Sequence, residues 1–99
     1  MTVTHVVLVQ WKDHVDPAEI DWIRTYTQTL ESSIPGIRSV VDGPSTSPEN
    51  LEAGYDFGLV IVFADALSRD VYLTHPGHIP LAEALQRNSS RIAVFDLEG

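Results

Sequence analysis

Four histidines stand in this 99-residue chain, at positions 5, 14, 75 and 78. Two of them close the segment Tyr72-Leu73-Thr74-His75-Pro76-Gly77-His78, which falls in a break between two helical stretches. Histidine titrates near neutrality and can take or give a proton there. A neighbouring tyrosine hydroxyl can donate a hydrogen bond to a carbonyl oxygen that gains negative charge. Together these groups suit removal of a proton beside a carbonyl, followed by cyclisation, isomerisation or elimination. Such chemistry calls for no metal and no cofactor. The same segment has a structural reading: a His-Pro-x-His kink turns the chain, one histidine caps a helix, and Tyr72 fills core volume. A metal centre is not expected. Two histidines three apart with a proline between them are not the i, i+4 zinc pair of a helix, and no third ligand is near in sequence.

The remaining candidates are more weakly marked. His5 lies on the same side of a strand as Val7, Val9 and Trp11, where a lone histidine reads as a hydrogen-bonded core residue with access to a pocket between sheet and helices. His14 falls in a polar turn and reads as solvated. Trp11, Trp22 and Tyr26 read as core or interface. Asp56 and Asp96 lie on strands, where they either pair with arginines or face a dimer seam. No glycine-rich phosphate loop, calcium loop or Gly-x-Ser-x-Gly elbow occurs.

Composition narrows the function classes. Fourteen acidic and six basic residues leave a formal charge of −8, and there is no cysteine. Disulfides, cysteine-zinc sites and thiol nucleophiles are excluded. The six basic residues stand singly, so neither nucleic acid nor an anionic membrane is an expected partner. No apolar run approaches the roughly 18 residues of a membrane span. No signal peptide is visible, and the expected location is the cytoplasm.

The elements that must position these residues follow from periodicity. Thr2 to Lys12 is a β-branched strand, apolar on both sides at its middle. Asp16-Pro17-Ala18-Glu19 opens a helix by capping, with proline in the first turn. Ile20, Ile23, Thr27, Leu30 and Ile34 carry it to the stop at Pro35-Gly36. Ile37 to Asp42 is a short strand, and 43–54 a loop. Tyr55 to Phe63 alternates as the third strand. Asp65 caps a helix to about Tyr72, with Leu67 and Val71 predicted to face inward. Pro80 restarts a helix to about Gln86, with Leu81 and Leu85 inward. Ile92 to Leu97 is the last strand.

The order β-α-β-β-α-β predicts an α+β, ferredoxin-like single domain over residues 1–99, with a four-stranded antiparallel sheet and both helices on one face. The other face would expose apolar residues, and pairing with a second copy would cover them. A homodimer through the sheet face, forming a dimeric α+β barrel, is therefore expected.

The chain resembles the stress-responsive A/B barrel domain family (Dabb) along its whole length. Thr4-His5-Val6-Val7-Leu8 is similar to the family's opening strand, and Ile34-Pro35-Gly36-Ile37 to its helix-to-strand junction. Ser47-Pro48-Glu49 and Gly54-Tyr55-Asp56 resemble its loop and third-strand entry. Tyr72-Leu73-Thr74-His75-Pro76-Gly77-His78 resembles its Tyr-x-x-His-Pro-x-His segment, and Phe95-Asp96 its terminal strand. The resemblance extends to a plant polyketide cyclase, and it implies His78 as general base and Tyr72 as the assisting hydroxyl in a cofactor-free cyclisation. It implies His5, Phe57 and His75 as substrate-binding residues. Phe57 stands where the cyclase has a pocket histidine, a departure that bears on substrate and thioester chemistry. The implied ligand is a small hydrophobic or phenolic molecule. The alternatives are a non-catalytic stress-associated dimer binding such a molecule, and a related dimeric-barrel monooxygenase or dehydrochlorinase.

Overall fold

β1 (Val3–Trp11) runs through the middle of a four-stranded antiparallel sheet of order β2-β3-β1-β4, in a computed structural model that describes residues 1–99. The other strands are β2 (Ile37–Pro44), β3 (Phe57–Phe63) and β4 (Ser89–Glu98). The helices are α1 (Pro17–Thr27), the single turn α2 (Leu30–Ser33), α3 (Ala66–Thr74) and α4 (Ile79–Asn88). This is the ferredoxin-like α+β arrangement. No helix is long and apolar enough to cross a membrane.

The alternation of side chains decides which face is covered. Register pairs His5 with Ile61, Val7 with Leu59 and Val9 with Phe57, so all six share one face, and all are buried. Ile23, Leu30, Ile34, Tyr72, Leu81, Ala84 and Leu85 close over that face from the helices. Each large side chain so buried stabilises the fold by roughly 1.5–3 kcal/mol, enough to hold register against a one-residue slip. The opposite face has no helix. Phe95, Leu97 and Val41 are 65%, 56% and 66% exposed, and Leu8 beside them is 37% exposed.

Several boundaries differ from the expectation. The first helix does not run unbroken to Ile34 but breaks at Gln28. There the backbone N–H and the hydroxyl of Thr29 both donate to the carbonyl of Tyr26, at 2.9 and 2.7 Å. Side-chain bonds of this kind compete with the helical ladder. β3 begins at Phe57 rather than Tyr55, because Tyr55 N–H turns back to the carbonyl of Glu52 at 3.1 Å. β4 starts early, at Ser89.

Leu67 and Val71 do not face inward: they are 70% and 46% exposed. From α3 it is Tyr72 that enters the core, with Ala66 packed against it and Ser68 and Arg69 half-buried. Ser68 sets the approach of the helix. Gly36 has φ +89°, and a Cβ there would lie 2.5 Å from Cβ of Ser68. Glycine therefore serves both the left-handed backbone and the close passage of α3. The core lost at Leu67 is supplied by the ring of Tyr72.

Candidate active site

The site grows from the end of α3, the break after it, and the strand ends beneath. Asp65 caps α3 through a 2.8 Å bond from Ser68 N–H, which sets the helical phase that turns Tyr72 inward. The helix stops at Thr74 because Pro76 disfavours helical backbone at His75, whose ψ is 138°. Residues 75–78 then turn, and α4 restarts with Pro80 in its first turn. This places His78 back beside Tyr72, with ring centroids 4.4 Å apart. From below, His5 meets the Tyr72 ring edge-on at 5.9 Å, and Phe63 packs on it at 5.1 Å.

Protonation follows from these surroundings. Nδ1 of His78 lies 3.3 Å from the carbonyl oxygen of Leu73. A carbonyl only accepts, so Nδ1 carries the proton and Nε2 keeps its lone pair. Partial burial lowers the pKa of His78; the Leu73 carbonyl opposes this, and His5 lowers it further. Burial, followed by the nearby Tyr26 hydroxyl, raises the pKa of Tyr72 far above the ordinary tyrosine value. Tyr72 therefore remains a hydrogen-bond donor throughout the physiological range. The pair thus presents a neutral imidazole and an undissociated phenol.

Beneath them runs a charged relay. His5, itself buried, has Nδ1 2.6 Å from Oδ1 of Asp96, and Nη1 of Arg69 donates to Oδ2 of the same carboxylate at 2.5 Å. Burial alone would raise the pKa of Asp96, but the hydrogen bonds from Arg69 and His5 outweigh it and hold the carboxyl below its ordinary value. Asp96 therefore pairs with an arginine on the helix side of the sheet and does not face the open side. No cluster of three or more His, Asp or Glu side chains could hold a metal ion.

The profile of the stress responsive A/B barrel domain matches residues 3–98. The chain belongs to the stress responsive A/B barrel domain family. Among curated relatives, this A/B barrel protein is 25% identical to olivetolic acid cyclase of Cannabis sativa over 97 residues, covering 97% of this chain and 95% of that one. It is 28% identical to the stress-response A/B barrel domain-containing protein HS1 of Arabidopsis thaliana over 94 residues, covering 95% and 86%. Among solved structures, the Arabidopsis thaliana protein At3g17210 superposes with a TM-score of 0.87 at 27% identity, covering 98% of this chain and 94% of that one. The hydroxynitrile lyase of Passiflora edulis gives 0.87 at 18% identity, covering 97% and 91%. A dimeric ferredoxin-like protein from Jannaschia gives 0.84 at 24% identity and covers both chains fully.

Within the A/B barrel, the residues singled out in the sequence divide into two groups. His78, Tyr72 and His5 come together. His75 lies next to them in the chain, but its Nδ1 accepts from Gly77 N–H at 2.9 Å, within its own turn. Phe57 lies elsewhere, packed on Trp11 with ring centroids 5.2 Å apart. It pairs with Val9, four residues along β1 from His5, or about 13 Å at strand rise. His14 is exposed in its turn. Arg69 and Tyr26 complete the site without having been singled out for it. The Tyr26 hydroxyl donates to the carbonyl of Gly77 at 2.6 Å. Only its place beside the helical stripe hinted at an inward role.

A cavity of about 580 Å³ lies on the other face of the sheet, among Leu8, Val41, Leu51, Tyr55 and Val60. Loop residues Ser45 and Glu52, joined by a 2.6 Å hydrogen bond, form part of its rim.

Proposed function

We propose that this A/B barrel protein is a cofactor-free enzyme that moves a proton on a carbonyl or polyketide substrate, with His78 as general base and Tyr72 as the hydrogen-bond donor to the oxyanion. One observation carries the reading: a neutral imidazole with Nε2 free lies against a phenol that burial keeps protonated. Nε2 takes a proton from the carbon beside a carbonyl, the C–H electrons form a C=C bond, and the carbonyl oxygen becomes an enolate held by Tyr72. The enolate carbon then attacks a second carbonyl of the same chain, closing a ring, or regains a proton elsewhere, isomerising the substrate. His5 packs edge-on against the Tyr72 ring and is fixed in direction by Asp96. The name of the Cannabis relative supports cyclisation as the first outcome to try.

The working form in this reading is a homodimer through the open sheet face. The exposed Phe95, Leu97 and Val41 support it, as does the dimeric state of the Jannaschia protein.

The decisive experiment follows deuterium uptake from D2O into the acidic C–H positions of a linear β-polyketone, and its conversion to cyclic product. We expect His78→Ala to slow both by about 10²- to 10⁴-fold, the usual worth of a general base, with the dimer intact by gel filtration. Equal rates for His78→Ala and wild type would overturn the assignment.

A second reading, a non-catalytic binder of a small hydrophobic molecule, is favoured by the separate cavity over Leu8 and Val60. Titration with a phenolic product analogue separates the two. Binding that shifts the methyl signals of Leu8 and Val60 but leaves His78 unmoved would favour the binder.

A further inference from the structure

The turn that carries His78 is held from both sides through one peptide unit. Gly77 N–H donates to Nδ1 of His75 at 2.9 Å, and the Gly77 carbonyl accepts from the Tyr26 hydroxyl at 2.6 Å. That carbonyl carbon is bonded to the backbone nitrogen of His78, so its direction sets where the His78 side chain leaves the chain. We propose that His75 and Tyr26 are positioning residues, which clamp the Gly77 peptide and so fix the direction and tautomer of the His78 imidazole. The proposal rests on the reading of His78 as the base.

Three features support the clamp. First, the Leu73 bond to His78 Nδ1 is long, at 3.3 Å, so a small rotation of the turn would break it and free the tautomer. Backbone bonds from His75 N–H to Tyr72 and from His78 N–H to His75, at 3.1 and 2.9 Å, close the turn but leave the Gly77 peptide to be held by side chains alone. Second, both clamping groups are committed. The His75 nitrogen that accepts from Gly77 bears no proton, and the one hydroxyl proton of Tyr26 is spent on Gly77. Neither is then free at that atom for a substrate. Third, both arms are themselves held. The Tyr26 ring stacks on Trp22, one turn earlier in α1, at 5.0 Å with planes 15° apart. A Cβ at Gly77 would lie 3.1 Å from His75 Nδ1 and 3.2 Å from Cδ1 of Ile34, so the turn is packed against both.

The chemistry of position 75 offers a test that a substrate contact would fail. Asparagine places its Oδ1 as many bonds from Cα as histidine places Nδ1, and it readily accepts from the N–H two residues on. His75→Asn therefore keeps the clamp while removing the imidazole; His75→Ala removes both. Tyr26→Phe keeps the ring on Trp22 and loses only the hydroxyl.

The full chain labelled with ¹⁵N in histidine and glycine reports the His78 tautomer by NMR, and the Gly77 amide signal reports the turn. Tyr26→Phe and His75→Ala should each lower the Nδ1–H population of His78 and lower kcat by about ten- to a hundredfold with KM little changed, as misplacement of a reacting group does. His75→Asn should restore the wild-type tautomer and kcat. A Tyr26→Phe spectrum with the His78 tautomer and the Gly77 amide unmoved would overturn the clamp. So would a His75→Asn variant as impaired as His75→Ala. If the spectra move as expected while His78→Ala still turns over the β-polyketone, the clamp stands and the base assignment falls.

Discussion

His78 and Tyr72 lie ring to ring at 4.4 Å with their planes 48° apart, one on either side of the break between α3 and α4. The burial they share acts on them in opposite senses. It lowers the histidine towards its neutral form and raises the tyrosine away from its ionised one. One environment therefore favours a neutral imidazole and an undissociated phenol together, as the proposed base and donor require.

Replacing Tyr72 by phenylalanine isolates the hydroxyl. The ring is buried in the core, and no protein hydrogen bond contributes to the shifted titration of the hydroxyl. Tyr72→Phe should thus fold with a melting temperature close to wild type. Loss of an oxyanion donor should cost on the order of 10²- to 10³-fold in kcat. Thermal melts together with turnover of the β-polyketone check both halves. A Tyr72 that only filled space would leave the rate unchanged.

The pH dependence has a definite sign. The proposed base is neutral His78, and its folded pKa lies below the ordinary 6.5. The rate should hold steady at neutral pH and fall only as pH drops through that lower value. Stability follows the same direction. Below about pH 6.5 the unfolded chain takes up a proton that folded His78 still refuses, so the native state weakens as pH falls towards the folded pKa. Plots of kcat/KM against pH, and urea midpoints at several values, measure the two effects. His78→Gln should remove this part of the stability profile.

Asp96 joins His5 to Arg69, and both are donors to it. In Asp96→Asn the new NH₂ group must face one of them with no acceptor to offer. A loss of about 1 kcal/mol is expected near neutral pH for a network of this partial exposure. Because the carboxyl is held below its ordinary 3.8, its contribution is present above that value and disappears as pH falls through the lower folded one. Urea denaturation of wild type and variant should therefore differ near neutrality and converge in acid.

Phe95 tests the open sheet face. It lies outside the core and is 65% exposed, so a charge there should leave the protomer folded. Phe95→Glu would bury two carboxylates in a sheet-to-sheet dimer and should yield monomer by sedimentation, with an unchanged far-UV circular dichroism spectrum. A variant that remained dimeric would place the interface elsewhere.

Residue order by itself determined the element sequence, because two-residue alternation, helical spacing and Pro or Gly stops are local signals that each segment carries alone. It also marked Tyr72, His75 and His78 as one segment and His5 as a histidine among apolar neighbours. It misled at α3, where Leu67 and Val71 look like the inward stripe but are exposed. Which face of a short helix is buried depends on what passes beneath it, here Gly36 under Ser68 and Asp96 under Arg69. Only the tertiary structure decided the contacts of the candidate site. The bonds of His5 to Asp96 and of Tyr26 to Gly77 join residues 91 and 51 positions apart. No periodicity records such pairs; they arise when sheet register and helix packing bring distant chain ends to one place. That same register turned Phe57 towards Trp11, away from His5, whereas the bond of His75 to Gly77 N–H is local to its own turn.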